Sequence, residues 1–301
     1  MKSEEILLRS MLFVPAYNKK FIEKSITCDA DAIILDMEDS IPAEHRQEAR
    51  DNIKHYFARD AFKNKTVFIR INEIGSKDFI EDIKQLVFDS LSGYMPSKIK
   101  SAEDIVFLDK LLGLMEKDHG IENGKFSLVP LIETAEAVNN AENIACASAR
   151  MLAICLGGED YLNDVHCTYI HLNDAILYPR AKIINAARAA GILPIDTPFL
   201  ELRDSAKYIE EERKMYKMGF AGNLLINPVQ IALANECFSP SEEEMEFSKK
   251  IIDAAVYAKR ENASGIAVYE GTMVGPPMIK RAENVLKLWD LICQKGDAYD
   301  E

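Results

Sequence analysis

The sequence predicts an α/β protein, a (β/α)8 TIM barrel with a C-terminal helical extension. Three observations predict it: eight short apolar runs, amphipathic stretches between them, and a different pattern after residue 228. Continuous apolar runs of this length are typical of strands buried on both faces of a parallel sheet. The runs are Met11–Pro15, Ala32–Asp39, Val67–Asn72, Gly93–Lys98, Phe126–Glu133, Met151–Asp160, Ile192–Pro198 and Asn223–Pro228. An open doubly wound sheet permits the same alternation, but eight strands rather than five or six favour the barrel.

The predicted helices are the amphipathic stretches that separate these runs. In Asp78–Ser90, for example, apolar residues recur at helical spacing with charged residues between them. The stretches are Lys19–Thr27, Ala43–Ala58, Asp78–Ser90, Ala102–Glu116, Ala135–Ser148, Pro179–Ala190, Leu202–Met218 and Val229–Asn235. Strand and helix alternate with short links, as a barrel requires.

The chain is expected to divide into a catalytic barrel at 1–238 and a helical extension at 239–301. The segment SPSEEEM at Ser239 has the acidic first turn of a helix start, and the helix is expected to reach about Arg260. A short β-like segment, GIAVYEGTMVGPP, and a helix from Met278 to about Gln294 follow. This extension is expected to contact a neighbouring subunit, to cover the barrel mouth, or to clasp its own barrel.

Composition narrows the class of partner. The formal charge of -13 and the pI near 5.0 argue against nucleic acid, which needs a broad basic surface. No secretory signal or membrane-spanning run is recognised, and the six dispersed cysteines lack zinc-type spacing. We therefore expect a cytoplasmic protein with reduced cysteines and no membrane partner.

Two carboxylates follow consecutive predicted strands. Glu133 ends the fifth run and Asp160 the sixth, and neighbouring parallel strands lie about 4.8 Å apart. Because Mg²⁺ accepts a few carboxylates and completes its shell with water and substrate oxygens, the pair predicts a magnesium site. A helix cap is the alternative for Glu133. Gly157 and Gly158 would let backbone N–H groups approach a ligand, and strand alternation leaves open whether Glu159 or Asp160 faces inward.

Arg70 lies within the apolar run VFIRIN, where a long charged side chain needs a partner. A substrate carboxylate or thioester oxygen is one candidate, and a structural salt bridge to Glu133 or Asp36 is the other. Asp36, Glu38 and Asp39 crowd the end of the second run. Such a cluster can hold water, support a metal or carry a base with a raised pKa.

Three lysines are candidate anion-binding groups. Lys98 follows the fourth run and is assigned to substrate binding, with a Schiff-base role as the less favoured alternative. Lys19 and Lys20 begin the first predicted helix, where phosphate groups of a nucleotide-type cofactor can bind. Solvated surface lysines are the ordinary alternative for this pair.

Long motifs in the expected order resemble the citrate lyase β subunit and related acyl-CoA lyases of the HpcH/HpaI aldolase type. The resemblance extends from about Arg9 to Leu286. It rests on LFVPAYNKKFIEKSITCDADAIILDMEDSIPAEHRQEAR, IRIN, LIETAEAVNNAENIA, LGGEDY, NAARAAGILPIDTP, GFAGNLLINPVQI, FSPSEEEM and GTMVGPPMIKRAENVL.

The resemblance implies a trimeric or hexameric barrel that uses Mg²⁺ to cleave or form a C–C bond between a CoA-type thioester and a 2-oxo acid. It implies metal ligation by Glu133 and Asp160 and substrate contact by Arg70, with Glu38 and Asp39 on the same face. The expected reaction converts a citryl-type thioester to acetyl-CoA and oxaloacetate. Alternatives are citramalyl- or malyl-CoA cleavage, or an inactive assembly subunit.

Three positions depart from the family pattern. Gly275 replaces an aspartate thought to carry a proton into a neighbouring active site, Asn227 replaces a histidine, and Ser97 replaces a proline beside Lys98. The proton chemistry or the substrate is therefore expected to differ from that of other members. In a citrate lyase complex, partner acyl-carrier and transferase subunits deliver the acyl group.

Overall fold

The computed structural model describes residues 3–168, 174–261 and 267–300. By its internal contacts the chain divides into two compact units, Met1–Phe238 and Ser239–Glu301. The strands are β1 Ser10–Pro15, β2 Ala32–Asp36, β3 Val67–Ile71, β4 Gly93–Pro96, β5 Ser127–Leu128, β6 Leu131–Ile132, β7 Ala153–Leu156, β8 Leu193–Asp196, β9 Gly222–Leu225, β10 Ala267–Tyr269 and β11 Thr272–Val274. The helices are α1 Lys19–Ile26, α2 Arg46–Phe57, α3 Lys77–Gln85, α4 Ala102–Asp118, α5 Ala135–Asn139, α6 Ala141–Ala145, α7 Gly158–Asp164, α8 Leu177–Ala190, α9 Ser205–Met218, α10 Ile231–Cys237, α11 Glu242–Glu261 and α12 Pro276–Asp300.

The first unit is a parallel sheet in the order β5-β4-β3-β2-β1-β9-β8-β7-β6. Its two ends belong to the same predicted run: β5 pairs with β4, and β6 pairs with β7. Val129 and Pro130 separate them, and Pro130 has no N–H to donate to a ladder. The sheet therefore closes through an interrupted fifth strand, which confirms the predicted (β/α)8 barrel.

Apolar side chains fill both faces of this sheet, which is why the strands have no polar alternation. One buried cluster occupies the barrel interior, and a larger one lies between the sheet and the helices. The interior cluster is Leu8, Met11, Ala32, Ile34, Phe68, Met95, Val129, Leu131, Leu152, Ala153, Cys155, Ile195 and Leu224.

The predicted helices are present, with two corrections. The stretch Ala135–Ser148 forms two short helices, α5 and α6. The sixth predicted run, Met151–Asp160, contains strand β7, which ends at Leu156. Residues Gly158–Asp164 form the unpredicted helix α7, because two glycines at its start conceal a helical signal. No helix in the described ranges has the length and apolarity needed to cross a membrane.

The second unit contains α11, the antiparallel hairpin β10–β11 and α12. Buried apolar residues such as Ile251, Ala267 and Val274 form its core. Its last helix starts at Pro276, two residues earlier than predicted, and Gly275 accepts backbone hydrogen bonds from that helix's first turn. A Cβ on Gly275 would meet only Pro277 Cδ, at 3.7 Å, so the backbone does not require glycine there.

Candidate active site

A cavity of about 310 Å³ lies at the carboxyl ends of the barrel strands. Barrels of this class bind their ligands at this end. The lining residues are Phe13, Pro15, Asp36, Ser40, Arg70, Leu131, Glu133, Gly157, Gly158, Glu159, Asp160, Thr197, Pro198, Leu200, Leu224 and Ile226. One wall is charged and acidic, and the other is largely apolar.

Arg70 is fixed in the charged wall by Asp36, its register partner on the adjacent strand. Its Nε and Nη2 donate to the two Asp36 oxygens at 2.6 and 2.7 Å. The guanidinium also lies over the Phe13 ring, 4.7 Å from the ring centroid. Of the two alternatives for Arg70, the salt bridge to Asp36 is present, yet Arg70 also lines the cavity.

Asp36 accepts further hydrogen bonds from Glu38 N, Ser40 N and Ser40 Oγ. Burial alone would raise the pKa of Asp36, but Arg70 and these hydrogen bonds hold it below its usual value. Burial opposes the charge of Arg70, yet its carboxylate neighbours raise the pKa of Arg70, so the guanidinium stays charged. Asp36 and Arg70 thus form a rigid ion pair. The third guanidinium nitrogen of Arg70, Nη1, makes no hydrogen bond to Asp36.

Glu38 and Asp39 both approach Arg70 Nη1, at 3.3 and 3.2 Å. Glu38 is buried, and its oxygens accept no hydrogen bond of good geometry from the described residues. Burial raises the pKa of Glu38, and the Asp39 charge adds to the effect, against Arg70 and Lys98. The Asp39 side chain is 52% exposed and can therefore move away from Arg70. The structure places both predicted catalytic carboxylates beside Arg70 rather than in the cavity lining.

Glu133 is buried at the end of β6, where Lys98 N–H donates to its Oε2 at 2.7 Å. Burial raises the pKa of Glu133 to about 7, and the charges of Asp160 and Glu38 add to this against the Lys98 hydrogen bond. A Cβ on Gly157 would lie 2.4 Å from Glu133 Cγ, so only glycine fits beside this carboxylate. Thr134, rather than Glu133, caps α5, so the helix-cap alternative for Glu133 is wrong.

Glu159 and Asp160 lie in the first turn of α7, and both line the cavity. Strand alternation therefore does not decide which of them faces the cavity, because neither residue belongs to a strand. Burial raises the pKa of Asp160, and the Asp39 charge adds to this. Gly158 also lines the cavity, but its N–H donates to Thr197 Oγ1 at 2.9 Å instead of pointing to a ligand. A Cβ at Gly158 would lie 2.7 Å from that oxygen, so this glycine serves close packing.

The donor set fits a hard divalent cation that brings most of its own ligands. The described residues contain no cluster of three or more His, Cys, Asp or Glu arranged around a metal position. Glu133 and Asp160 supply two carboxylates to the same cavity, and burial, with the Asp160 charge adding to it, raises the pKa of Glu133. Mg²⁺ uses one or two carboxylates and takes further oxygens from water and substrate.

Of the three candidate lysines, Lys98 forms an ion pair beside the cavity, whereas Lys19 and Lys20 are exposed at the start of a helix. Lys98 Nζ lies 2.8 Å from Glu38 Oε1, and this ion pair raises the pKa of Lys98. A Schiff-base lysine needs a lowered pKa, so the ion pair with Glu38 disfavours that alternative. Lys19 and Lys20 are exposed at the start of α1, whose first turn is capped by Asn18 Oδ1.

The apolar wall was not predicted from the sequence. Phe13, Leu131 and Leu224 enter it from strands, while Leu200 and Ile226 come from the loops after β8 and β9. Thr197 could have been found, because it directly follows a strand at the active end. Loop residues such as Leu200 carry no periodic signal that would place them in the site.

Fold and site together define a TIM barrel with an acidic cavity at the carboxyl ends of its strands. Residues 9–228 match the model of the HpcH/HpaI aldolase/citrate lyase family. The citrate lyase subunit beta of Haemophilus influenzae is 33% identical over 281 residues, covering 93% of this chain and 96% of the relative. The L-malyl-CoA/beta-methylmalyl-CoA lyase of Rhodobacter capsulatus is 31% identical, covering 93% and 94%.

A similar solved structure is the CitE protein of Mycobacterium tuberculosis in complex with magnesium, acetoacetate and coenzyme A. It superposes with a TM-score of 0.75 at 24% identity, covering 92% of this chain and 96% of that chain. At this identity the similarity supports the barrel fold. The chain belongs to the HpcH/HpaI aldolase/citrate lyase family, and it is a lyase of that family.

Proposed function

We propose that this protein is a Mg²⁺-dependent carbon–carbon lyase that cleaves a 3-hydroxyacyl thioester to an acyl thioester and a 2-oxo acid. The citryl reaction, which gives acetyl-CoA and oxaloacetate, is the first candidate. One observation carries the proposal: Glu133 and Asp160 line the same cavity as an Arg70 that Asp36 holds in place. The citrate lyase and malyl-CoA lyase relatives, each matching more than nine tenths of the chain, support the same class of reaction.

Glu133 and Asp160 would hold the magnesium ion, with Gly158 beside them in the substrate-binding wall. When bound, Mg²⁺ supplies a hard cation that orients the carboxylate and hydroxyl oxygens of the substrate and favours loss of the hydroxyl proton. Because the pKa of Glu133 is near 7, this carboxylate becomes fully charged on binding a cation.

Glu38 and Asp39 are the proposed proton carriers. One of them takes the hydroxyl proton, the C–O bond becomes a carbonyl, and the C–C electron pair passes to the thioester as its enolate. Arg70 Nη1 donates to the enolate oxygen after the exposed Asp39 side chain moves aside. The enolate carbon then takes this proton from the carboxylic acid that received it, which restores the carboxylate and gives an acyl thioester and a 2-oxo acid.

The thioester would be carried on CoA or on a CoA-derived arm of an acyl-carrier subunit. Lys19 and Lys20 are exposed where α1 starts, after β1, and could reach its phosphates. We assign the second unit to subunit contact or to closure of a barrel mouth, in a homotrimer or hexamer. The six unpaired cysteines fit a reducing compartment, and we place the protein in the cytoplasm.

The test incubates the purified protein and Mg²⁺ with citryl-, citramalyl- and malyl-CoA and follows release of the 2-oxo acid. We expect turnover of at least one thioester, and a loss of about 100-fold or more in Glu133→Gln and Asp160→Asn. Glu136→Gln, an exposed glutamate in α5, is the matched control and should retain activity. Equal inactivity of wild type and variants on every thioester would sink the proposal.

A free-standing citramalyl- or malyl-CoA lyase is the second candidate, favoured by the similarity to the Rhodobacter capsulatus enzyme. The same panel separates the two, because citryl-CoA releases oxaloacetate, citramalyl-CoA releases pyruvate and malyl-CoA releases glyoxylate. Gly275, where the family resemblance implies an aspartate, is the feature that leaves an inactive assembly subunit as a third outcome.

A further inference from the structure

Lys98 has an unusual backbone for a lysine. Its φ is +53°, in the left-handed region, and among the described residues other than glycine only Asp60, His166 and Glu270 share a positive φ. Such a conformation is uncommon for a side chain like lysine and persists where the surroundings enforce it.

Neighbouring contacts fix the turn. Ser97 is buried, and its Oγ donates to Ile71 O at 3.1 Å, which ties the turn to the end of β3. Ile99, on the other side of Lys98, is also buried. The left-handed residue is therefore held from both directions.

The turn connects two carboxylates that follow different strands. Lys98 N–H donates to Glu133 Oε2 at 2.7 Å, and Lys98 Nζ lies 2.8 Å from Glu38 Oε1. Glu38 follows β2, Lys98 follows β4, and Glu133 follows β6, which continues the chain run of β5, the strand paired with β4. Lys98 itself is absent from the residues that line the cavity.

We propose that Lys98 is a positioning residue that holds Glu133 through its left-handed backbone N–H and Glu38 through its ammonium group. The backbone contact directs Glu133 towards the metal position, and the side-chain contact keeps Glu38 beside Arg70. This inference rests on the proposed function, and it replaces the substrate contact predicted for Lys98.

Magnesium titration by calorimetry tests the backbone contact without turnover. Lys98→Gly and Lys98→Val both lose the ammonium group, but only glycine adopts positive φ freely. We expect Mg²⁺ affinity within about threefold of wild type for the glycine variant and about tenfold weaker for the valine variant. Equal affinities in the two variants overturn the backbone half of the proposal. If Lys98→Val does not fold, Lys98→Ala provides the same comparison with a smaller expected difference.

Steady-state kinetics test the side-chain contact. Lys98→Met should lower kcat about 10- to 100-fold with KM for the thioester nearly unchanged, and Lys98→Arg should restore most of kcat. Lys100→Met, an exposed lysine two residues away, is the control. A raised KM at unchanged kcat would assign Lys98 to substrate binding, and unchanged kinetics would remove its role; either overturns this half.

The two proposals fail in different ways. If wild type cleaves no thioester, the proposed lyase function is lost, while the magnesium titrations still judge the backbone contact. If wild type is active and the Lys98 variants match Lys100→Met, the positioning role alone is lost.

Discussion

Two aspartates at the ends of barrel strands each form an ion pair with a different arginine, and the two pairs lie on opposite faces of the sheet. Asp36 ends β2 and lines the cavity with Arg70, whereas Asp196 ends β8 and pairs with Arg180 of α8, outside the cavity lining. Ile34 and Ile195 both point into the barrel. Asp36 lies two positions after Ile34 and therefore on the same, inward face, whereas Asp196 lies one position after Ile195 and therefore on the outward face. Side chains alternate along a strand, and this parity alone separates an active-site pair from a structural one.

Their electrostatic environments differ in the same way. Asp36 accepts hydrogen bonds that lower its pKa, whereas burial raises the pKa of Asp196 and the Glu211 charge adds to this, against Arg180. Glu212, from α9, is buried in the same group with one oxygen that accepts no hydrogen bond from the described residues. The cavity pair is therefore fully satisfied, whereas the outer group contains three acidic side chains and one arginine, and burial favours the protonated form of its Glu212.

The largest expected effect is that of Asp36→Ala, which leaves the Arg70 charge buried without its bidentate partner. Removing one partner of a buried pair typically costs about 3–5 kcal/mol. We expect a loss of this size in urea denaturation and little remaining turnover. Asp36→Ala combined with Arg70→Met should recover much of the stability and none of the activity. Recovery of activity in the double variant would mean that the pair is only structural.

Asp196→Ala should cost less, about 1–2 kcal/mol, because Glu211 remains as a counter-charge for Arg180 and Glu212 can ionise once the Asp196 charge is gone. Since Asp196 does not line the cavity, the kcat of the folded variant should stay within about twofold of wild type. Urea denaturation and steady-state kinetics on the same preparation measure both values. A kcat as low as that of Asp36→Ala would break the distinction between the two faces.

The positions of the two strand ends were predictable from the sequence, but the face of the sheet on which each aspartate lies was not. The apolar runs located both strand ends, because buried parallel strands are continuous apolar segments. Asp36 was recognised at the first of them, but Asp196, within the run Ile192–Pro198, was not singled out. The same continuity removes the alternation that would show which face is inward, so Arg70 could equally have paired with Glu133. Helix α7 was missed for a related reason: Gly157 and Gly158 are there to fit Glu133 and Thr197, and local propensity does not record a tertiary contact.

The smallest expected effect is a gain in stability in Glu212→Gln. Burial raises the pKa of Glu212 well above its usual value, and the Asp196 charge adds to this, against Arg180. Because the unfolded chain releases this proton near pH 4.3, the contribution of Glu212 to stability is complete below that pH and is lost as pH rises towards the folded-state pKa.

Glutamine has the shape of glutamic acid but does not titrate. The free energy of unfolding of the variant should therefore equal that of wild type near pH 4 and exceed it by about 1 kcal/mol or more at pH 8. Urea denaturation across this range measures the difference, and Glu210→Gln, exposed on the same helix, is the control. A constant difference between variant and wild type at all pH values would show that Glu212 is charged in the folded protein. In that case the contrast between the two faces would rest on parity alone.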